Sequence, residues 1–213
     1  MFHSKVAKTK LLLEFSQIYS IDSLSRDRAI SGGGSDHSIR VWKIVEESQL
    51  IYNGHYHGSI DTVKLINEEN FISGGSDGLL CTWNVNRKRP MFTQKDAHGV
   101  KRNLSNWITA VTAWTNTDLV ASGSSDGHIR FWKCGDRFHT LTEVFTVPCE
   151  GWVNSMEFSA APDMGKRPKF LVVGVGREHK FGRWGDDIDK AKNSIIIIPL
   201  KPKNDQPKMN TDE

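Results

Sequence analysis

Residues 72–83 read ISGGSDGLLCTW, and the stretch recurs: residues 30–42 read ISGGGSDHSIRVW and residues 121–132 read ASGSSDGHIRFW. In each copy the aspartate stands six residues before the tryptophan: Asp36 and Trp42, Asp77 and Trp83, Asp126 and Trp132. The aspartates lie 41 and then 49 residues apart. A period in the low forties, with a small-residue turn leading into a strand that carries Trp, marks the blades of a β-propeller.

Working outward, an apolar set precedes each turn. Ile18 and Ile21, then Ile60, Val63 and Leu65, then Ile108, Val111 and Ala113 share a spacing, and Val153, Met156 and Phe158 repeat it. The first three sets begin thirteen or fourteen residues before the serine of the turn: Ile18 before Ser31, Ile60 before Ser73, Ile108 before Ser122. Each repeat therefore reads as an inner strand a, a strand b ending at the Ser-Gly turn and a strand c holding the Trp. An outer strand d fits 49–52 and 141–147, and Pro90 opens the equivalent stretch between them, which suits an edge position. Residues 11–15 read as a further short strand.

These patterns divide the chain into four repeats, roughly 11–44, 45–86, 87–134 and 135–200. The fourth is degenerate. Its residues 172–179, VVGVGREH, put Val173 where the Ser belongs and Arg177 where the Asp belongs. A polar loop postpones its next strand to 194–200, which has no Trp. Residues 1–10 show no apolar period and are expected to fray. Residues 201–213, with Pro202, Pro207 and scattered charge, are expected to be disordered.

The 213 residues, 38% hydrophobic and 25% charged, have the composition of an ordinary globular chain, and the repeat assigns them to one domain. A net charge of +3 singles out no class of partner. Cys81, Cys134 and Cys149 form no even framework and no CxxC, so they read as reduced structural thiols. The longest aliphatic run, 195–198, is too short to span a bilayer and reads as a buried strand, and no signal peptide stands out. The histidines are not at metal-ligand spacing with the cysteines. The glycines at 32–34 and 74–75 lack the Lys-Ser/Thr and helix of a phosphate loop. No GxSxG elbow accompanies the recurring Ser, His and Asp, and recurrence in every repeat suits scaffolding better than a single hydrolytic site. Neither a cofactor nor a catalytic role is expected.

The motifs resemble WD repeats. In that family a His before strand a, a Ser or Thr on strand b, the turn Asp and the strand-c Trp form a hydrogen-bonded tetrad. The physical need is clear, because an unpaired buried carboxylate costs several kcal/mol and must find donors. The resemblance assigns His98, Ser122, Asp126 and Trp132 to one tetrad. It assigns Ser73, Asp77 and Trp83 to another, with His55 or His57 as donor, and Ser31, Asp36 and Trp42 to a third, for which nothing upstream offers the His.

A more specific likeness lies in 177–184, REHKFGRW, and 191–200, AKNSIIIIPL, supported by 41–50, VWKIVEESQL, by 58–69, GSIDTVKLINEE, and by short matches at 87–90 and 97–99. These stretches resemble the WD-repeat subunits of the U3 small nucleolar ribonucleoprotein. The resemblance implies an all-β WD-repeat β-propeller that binds U3 small nucleolar RNA beside other proteins of that particle. It implies a place in the nucleolus and a role in pre-rRNA processing and small ribosomal subunit biogenesis, with no membrane and no small-molecule substrate. That family has a seven-blade ring, of which about the last four blades are matched. The four are either part of a larger ring or a smaller ring closed by the chain's own N-terminal strand. The alternative function is a general WD-repeat scaffold that binds proteins and no RNA.

Propeller topology puts d–a loops and b–c turns on one face. The insertion 99–106, GVKRNLSN, is a d–a loop and 177–193 is a b–c loop, so both emerge together and carry Lys101, Arg102, Arg177, Lys180, Arg183, Lys190 and Lys192. The candidates for contact with RNA or a partner are Lys101, Arg102, Arg177, His179, Lys180, Arg183 and Trp184. Among these, His179 and Trp184 are suited to stack on bases. Asp186, Asp187 and Asp189 dilute the charge. The opposite face gathers Arg87, Lys88, Arg89, Arg137, Lys166, Arg167 and Lys169. The plain alternative for both groups is a set of solvated loops.

Overall fold

The computed structural model describes residues 17–24, 27–34, 36–55, 57–159, 170–182 and 188–200. Residues 1–10 and 201–213, and the strand expected at 11–15, lie outside them. The chain forms a series of antiparallel meanders, each built from one copy of the strand grammar. The first sheet contains β1 (Ile18–Asp22), β2 (Arg28–Gly33), β3 (Ser38–Lys43) and β4 (Ser48–Asn53). The second contains β5 (Ile60–Leu65), β6 (Asn70–Gly75), β7 (Leu80–Asn84) and β8 (Arg87–Gln94). A small hairpin, β9 (Val100–Lys101) and β10 (Leu104–Ser105), fills the 99–106 insertion. The third sheet contains β11 (Ala110–Ala113), β12 (Leu119–Gly123), β13 (His128–Gly135) and β14 (Thr140–Pro148). The fourth has three strands among the described residues: β15 (Trp152–Phe158), β16 (Phe170–Gly176) and β17 (Ser194–Pro199). A 3-10 turn at Asp136–Phe138 is the only helical element among the described residues. The fold is an all-β propeller arrangement of four blades.

Sequence repeat and sheet are offset by one strand. The repeat 45–86 begins with β4, the outer strand of the first sheet, and continues through β5, β6 and β7 of the second. Each of the last three repeats therefore ties two sheets together covalently.

Strand alternation decides where the apolar side chains go. In β6, Phe71 points into a layer shared with Ile30, Val41 and Tyr52 of the first sheet, while its neighbour Ile72 points into a layer shared with Val111 and Val120 of the third. In β13, Trp132 joins that second layer, while Ile129 and Phe131 join a third layer with Val153, Met156 and Leu171. The core is thus a set of slabs between successive sheets, and among the described residues none joins the fourth sheet to the first. Phe71 and Trp83 stack at 5.8 Å, and Tyr52 meets Phe71 edge-on at 5.5 Å. Burying a side chain of this kind contributes roughly 1.5–3 kcal/mol.

The innermost strands are laced by one recurring device, a side-chain oxygen on one sheet bonded to the backbone of the next. Val63 N–H donates to Ser20 Oγ at 3.1 Å, and Val111 N–H donates to Thr62 Oγ1 at 3.1 Å. Thr109 Oγ1 donates to the Val153 carbonyl. Lys64 adds a charged link, with its ammonium 3.3 Å from Asp22 and 2.9 Å from Glu157, so that it connects β1, β5 and β15.

Candidate nucleic-acid interface

In the third sheet the structure brings His98, Ser122, Asp126 and Trp132 together. Trp132 Nε1–H donates to Ser122 Oγ at 2.8 Å, His98 Nε2 meets the same oxygen at 2.8 Å, and His98 Nδ1 lies 3.0 Å from Asp126. Burial would raise the Asp126 carboxyl, but donors on His98, Arg130 and the His128 backbone outweigh it and hold the group below the usual carboxylate range. The second sheet repeats the arrangement with His55, Ser73, Asp77 and Trp83 at 2.8–3.1 Å, while His57 is exposed and takes no part. Burial pushes the His55 ring down, yet Asp77 and Cys81 beside it carry it up to about 9. Ser73 and Ser122 are fully buried, so the tetrads brace the blades and present no hydroxyl to a substrate.

In the first sheet, no His joins the group among the described residues. Trp42 Nε1–H donates to Ser31 Oγ at 2.9 Å, and Asp36 accepts from Ser38 Oγ at 2.8 Å and from Arg40 at 3.2 Å. In the fourth sheet Val173 is buried in the core, and Arg177 is exposed and paired with Asp189 at 3.3 Å.

The loop after β16 turns inward. His179 is buried against three aromatic rings, at 5.7 Å from Trp107, 5.2 Å from Trp152 and 5.2 Å from Phe181. Phe181 N–H donates to its Nδ1 at 3.3 Å. Burial, with help from the Lys180 charge, pushes the His179 ring down to about 4, so it is neutral near pH 7. Lys180 donates to the carbonyls of Asp61 at 2.9 Å and Thr109 at 2.8 Å, and burial lowers its ammonium's pKa. Phe181 packs on Tyr19 at 4.4 Å. Three consecutive residues therefore touch the first, second and fourth sheets and the segment that leads into the third. His179, which the sequence places with Lys180 among the candidates for RNA contact, is built into the protein interior, while Lys180 stays exposed along its side chain and anchors its ammonium on main-chain carbonyls.

Of the remaining candidates, Lys101 and Arg102 sit at the tip of the β9–β10 hairpin and Arg177 opens the long loop; Arg183 and Trp184 lie outside the described residues. The hairpin and the end of the long loop border a common groove of about 660 Å³, lined by Lys101, Arg102, Leu104, Trp107, Trp152, Ile188 and Lys190 among others. Trp107 and Trp152 are the residues that sequence reasoning missed. Each follows a d–a connection directly, Trp107 after 99–106 and Trp152 after Gly151, and that position is the signal that could have found them. On the opposite face Arg87, Lys88, Arg89 and Arg137 are exposed, while Lys166, Arg167 and Lys169 fall outside the described residues. Among the described residues no cluster of His, Cys, Asp and Glu could hold a metal ion, and no helix is long and apolar enough to cross a membrane.

Known proteins resemble the chain in family, sequence and structure. The family described as "WD domain, G-beta repeat" matches residues 95–133. "U3 small nucleolar RNA-interacting protein 2" of Mus musculus is 46% identical over 160 residues, which are 73% of this chain and 32% of that protein; the Homo sapiens protein of the same name is 45% identical over 159 residues, with the same coverage. "Ribosomal RNA-processing protein 9" of Saccharomyces cerevisiae is 24% identical over 241 residues, covering 84% of this chain and 42% of the relative. A solved structure titled "Structure of U3-55K" matches with a TM-score of 0.80 and 44% identity, over 86% of this chain and 55% of that one. The chain thus spans about a third of the length of the first of these curated relatives. Sheets that repeat one hydrogen-bonded core, and that match such a structure closely, place the chain in the WD-repeat β-propeller family.

Proposed function

We propose that the protein is a non-catalytic RNA–protein assembly subunit that binds U3 small nucleolar RNA, together with other proteins of the small nucleolar ribonucleoprotein. It acts in the nucleolus, in pre-rRNA processing and small ribosomal subunit biogenesis. The observation that carries this reading is 46% identity, over 73% of the chain, to a protein named for its interaction with that RNA. The RNA-facing surface is the groove between the β9–β10 hairpin and the long loop, where Lys101, Arg102 and Lys190 concentrate positive charge that suits phosphates. Capture of the tagged chain from cells, followed by sequencing of bound RNA, tests it. The reading expects strong enrichment of U3 RNA, and a protein-only catch with no small nucleolar RNA would overturn it in favour of a scaffold that binds proteins alone.

A further inference from the structure

We propose that the groove takes an unpaired nucleotide, its base stacked against Trp107 and its phosphates toward Lys101, Arg102 and Lys190. This rests on the RNA reading above and narrows it from RNA in general to a single-stranded element.

The groove has two chemistries side by side. Trp107, Leu104 and Ile188 give it apolar lining, and Leu104 is 72% exposed. The neighbouring Val100 is 55% exposed, so the hairpin displays apolar surface to water. Lys101, Arg102 and Lys190 supply positive charge within the same lining. Of the acids among its described lining residues, Asp126 pairs with His98 and Arg130, Asp189 pairs with Arg177, and Glu150 also lines the groove.

An RNA duplex does not match this surface. Its bases are stacked inside, and it presents mainly phosphates and 2′-hydroxyls, which leaves Trp107 and Leu104 without partners. An unpaired nucleotide matches both parts, because it carries a flat aromatic face and a charged phosphate on one short frame. The volume, about 660 Å³, falls within the roughly 300–1,000 Å³ of small-ligand pockets. Trp107 is also preset. Its ring lies 6.2 Å from Trp152 and 5.7 Å from His179, and the next two residues, Ile108 and Thr109, are fully buried. A ring held in place before binding loses little freedom when a base arrives. An acidic peptide would satisfy the cations but leave the indole unmatched.

The test uses the full chain and a short single-stranded RNA carrying one 2-aminopurine, alone and annealed to its complement. The single strand should bind at least tenfold more tightly than the duplex and lose 2-aminopurine fluorescence on binding. Trp107→Ala should weaken single-strand binding by roughly tenfold or more while leaving duplex binding unchanged. Trp107→Phe, which keeps an aromatic face, should retain most of the affinity. Equal affinity for duplex and single strand overturns the proposal. So does a neutral Trp107→Ala, a Trp107→Phe loss as large as that of the Ala variant, or displacement of the strand by polyglutamate as readily as by RNA. If the wild-type chain binds neither RNA, the parent reading falls as well.

Discussion

The ammonium of Lys180 donates to the main-chain carbonyl of Thr109 at 2.8 Å, and it reaches the Asp61 carbonyl at 2.9 Å with the same group. One side chain from the fourth sheet's loop thereby fastens the second sheet to the segment that enters the third. Lys180→Met keeps the aliphatic stem but leaves two buried carbonyls unpaired, at a cost of about 1–3 kcal/mol for each group stranded. The melting temperature should fall by at least about 4 °C, given roughly 2–4 °C per kcal/mol for a chain of this size. An unchanged melting temperature would show that the link is ornamental.

The tetrads give a second outcome. Asp126 has a side chain only 8% exposed and holds both His98 and Arg130, whereas the Asp118 side chain is 54% exposed. Asp126→Ala should destabilise by about 1–3 kcal/mol, because it strands buried donors. Asp118→Ala should cost no more than about 0.5 kcal/mol. Urea unfolding of both variants decides; equal midpoints contradict the bracing role of the tetrad.

Two glycines separate space from strain. A Cβ at Gly54 would run into the Trp83 indole and come within 2.9 Å of Pro90, while one at Gly174 would find its nearest neighbour at 3.8 Å. Gly54→Ala is expected to lose about 1–3 kcal/mol through overpacking. Gly174→Ala should be close to neutral. Reversal of that order in thermal unfolding would refute the packing described around Trp83.

The buried imidazole makes stability depend on pH. His179 is pushed down to about 4 by burial, against an ordinary value of 6.5. The unfolded chain takes a proton on this ring near pH 6.5, and the folded chain does so only near 4. Its contribution is therefore complete above pH 6.5 and shrinks as pH falls from there toward 4. Asp61, raised by burial to about 6, works in the opposite sense over nearly the same window. His179→Phe removes only the first contribution. Wild type should lose stability relative to that variant between pH 6.5 and 4.5, by on the order of 2 kcal/mol. A difference between the two that stays flat with pH would contradict the assignment.

The Ser, Asp and Trp of each tetrad were legible because they are local, whereas the His, 22 or 28 residues before its Asp, was assigned by the family resemblance. The six-residue step from Asp126 to Trp132 spans one tight turn, and the serine position follows from strand register. The choice of His55 over His57 was not legible, because it depends on which residue the chain turns inward after Gly54. The role of Lys180 was hidden for a similar reason. On a polar loop a lysine reads as solvated, and only the return of that loop across the innermost strands gives it carbonyl partners. Trp107 was masked by its position in front of Ile108, where an aromatic residue reads as part of a buried strand. In the first repeat, Asp36 kept its place and its Arg40 partner, as Asp126 has Arg130, while the Ser38 hydroxyl adds a bond that spacing alone does not reveal.

The salt dependence of RNA binding tests the central claim most directly. Phosphate contacts release counterions, so the logarithm of affinity should fall by about 0.7–0.9 per contact for each tenfold rise in salt. A variant with Lys101, Arg102, Arg177 and Lys190 changed to alanine should bind U3 RNA more weakly and with a visibly flatter slope, at an unchanged melting temperature. A variant with Arg87, Lys88 and Arg89 changed to alanine, on the opposite face, should keep the wild-type slope. If the second variant abolishes binding while the first leaves both affinity and slope intact, RNA does not use the groove.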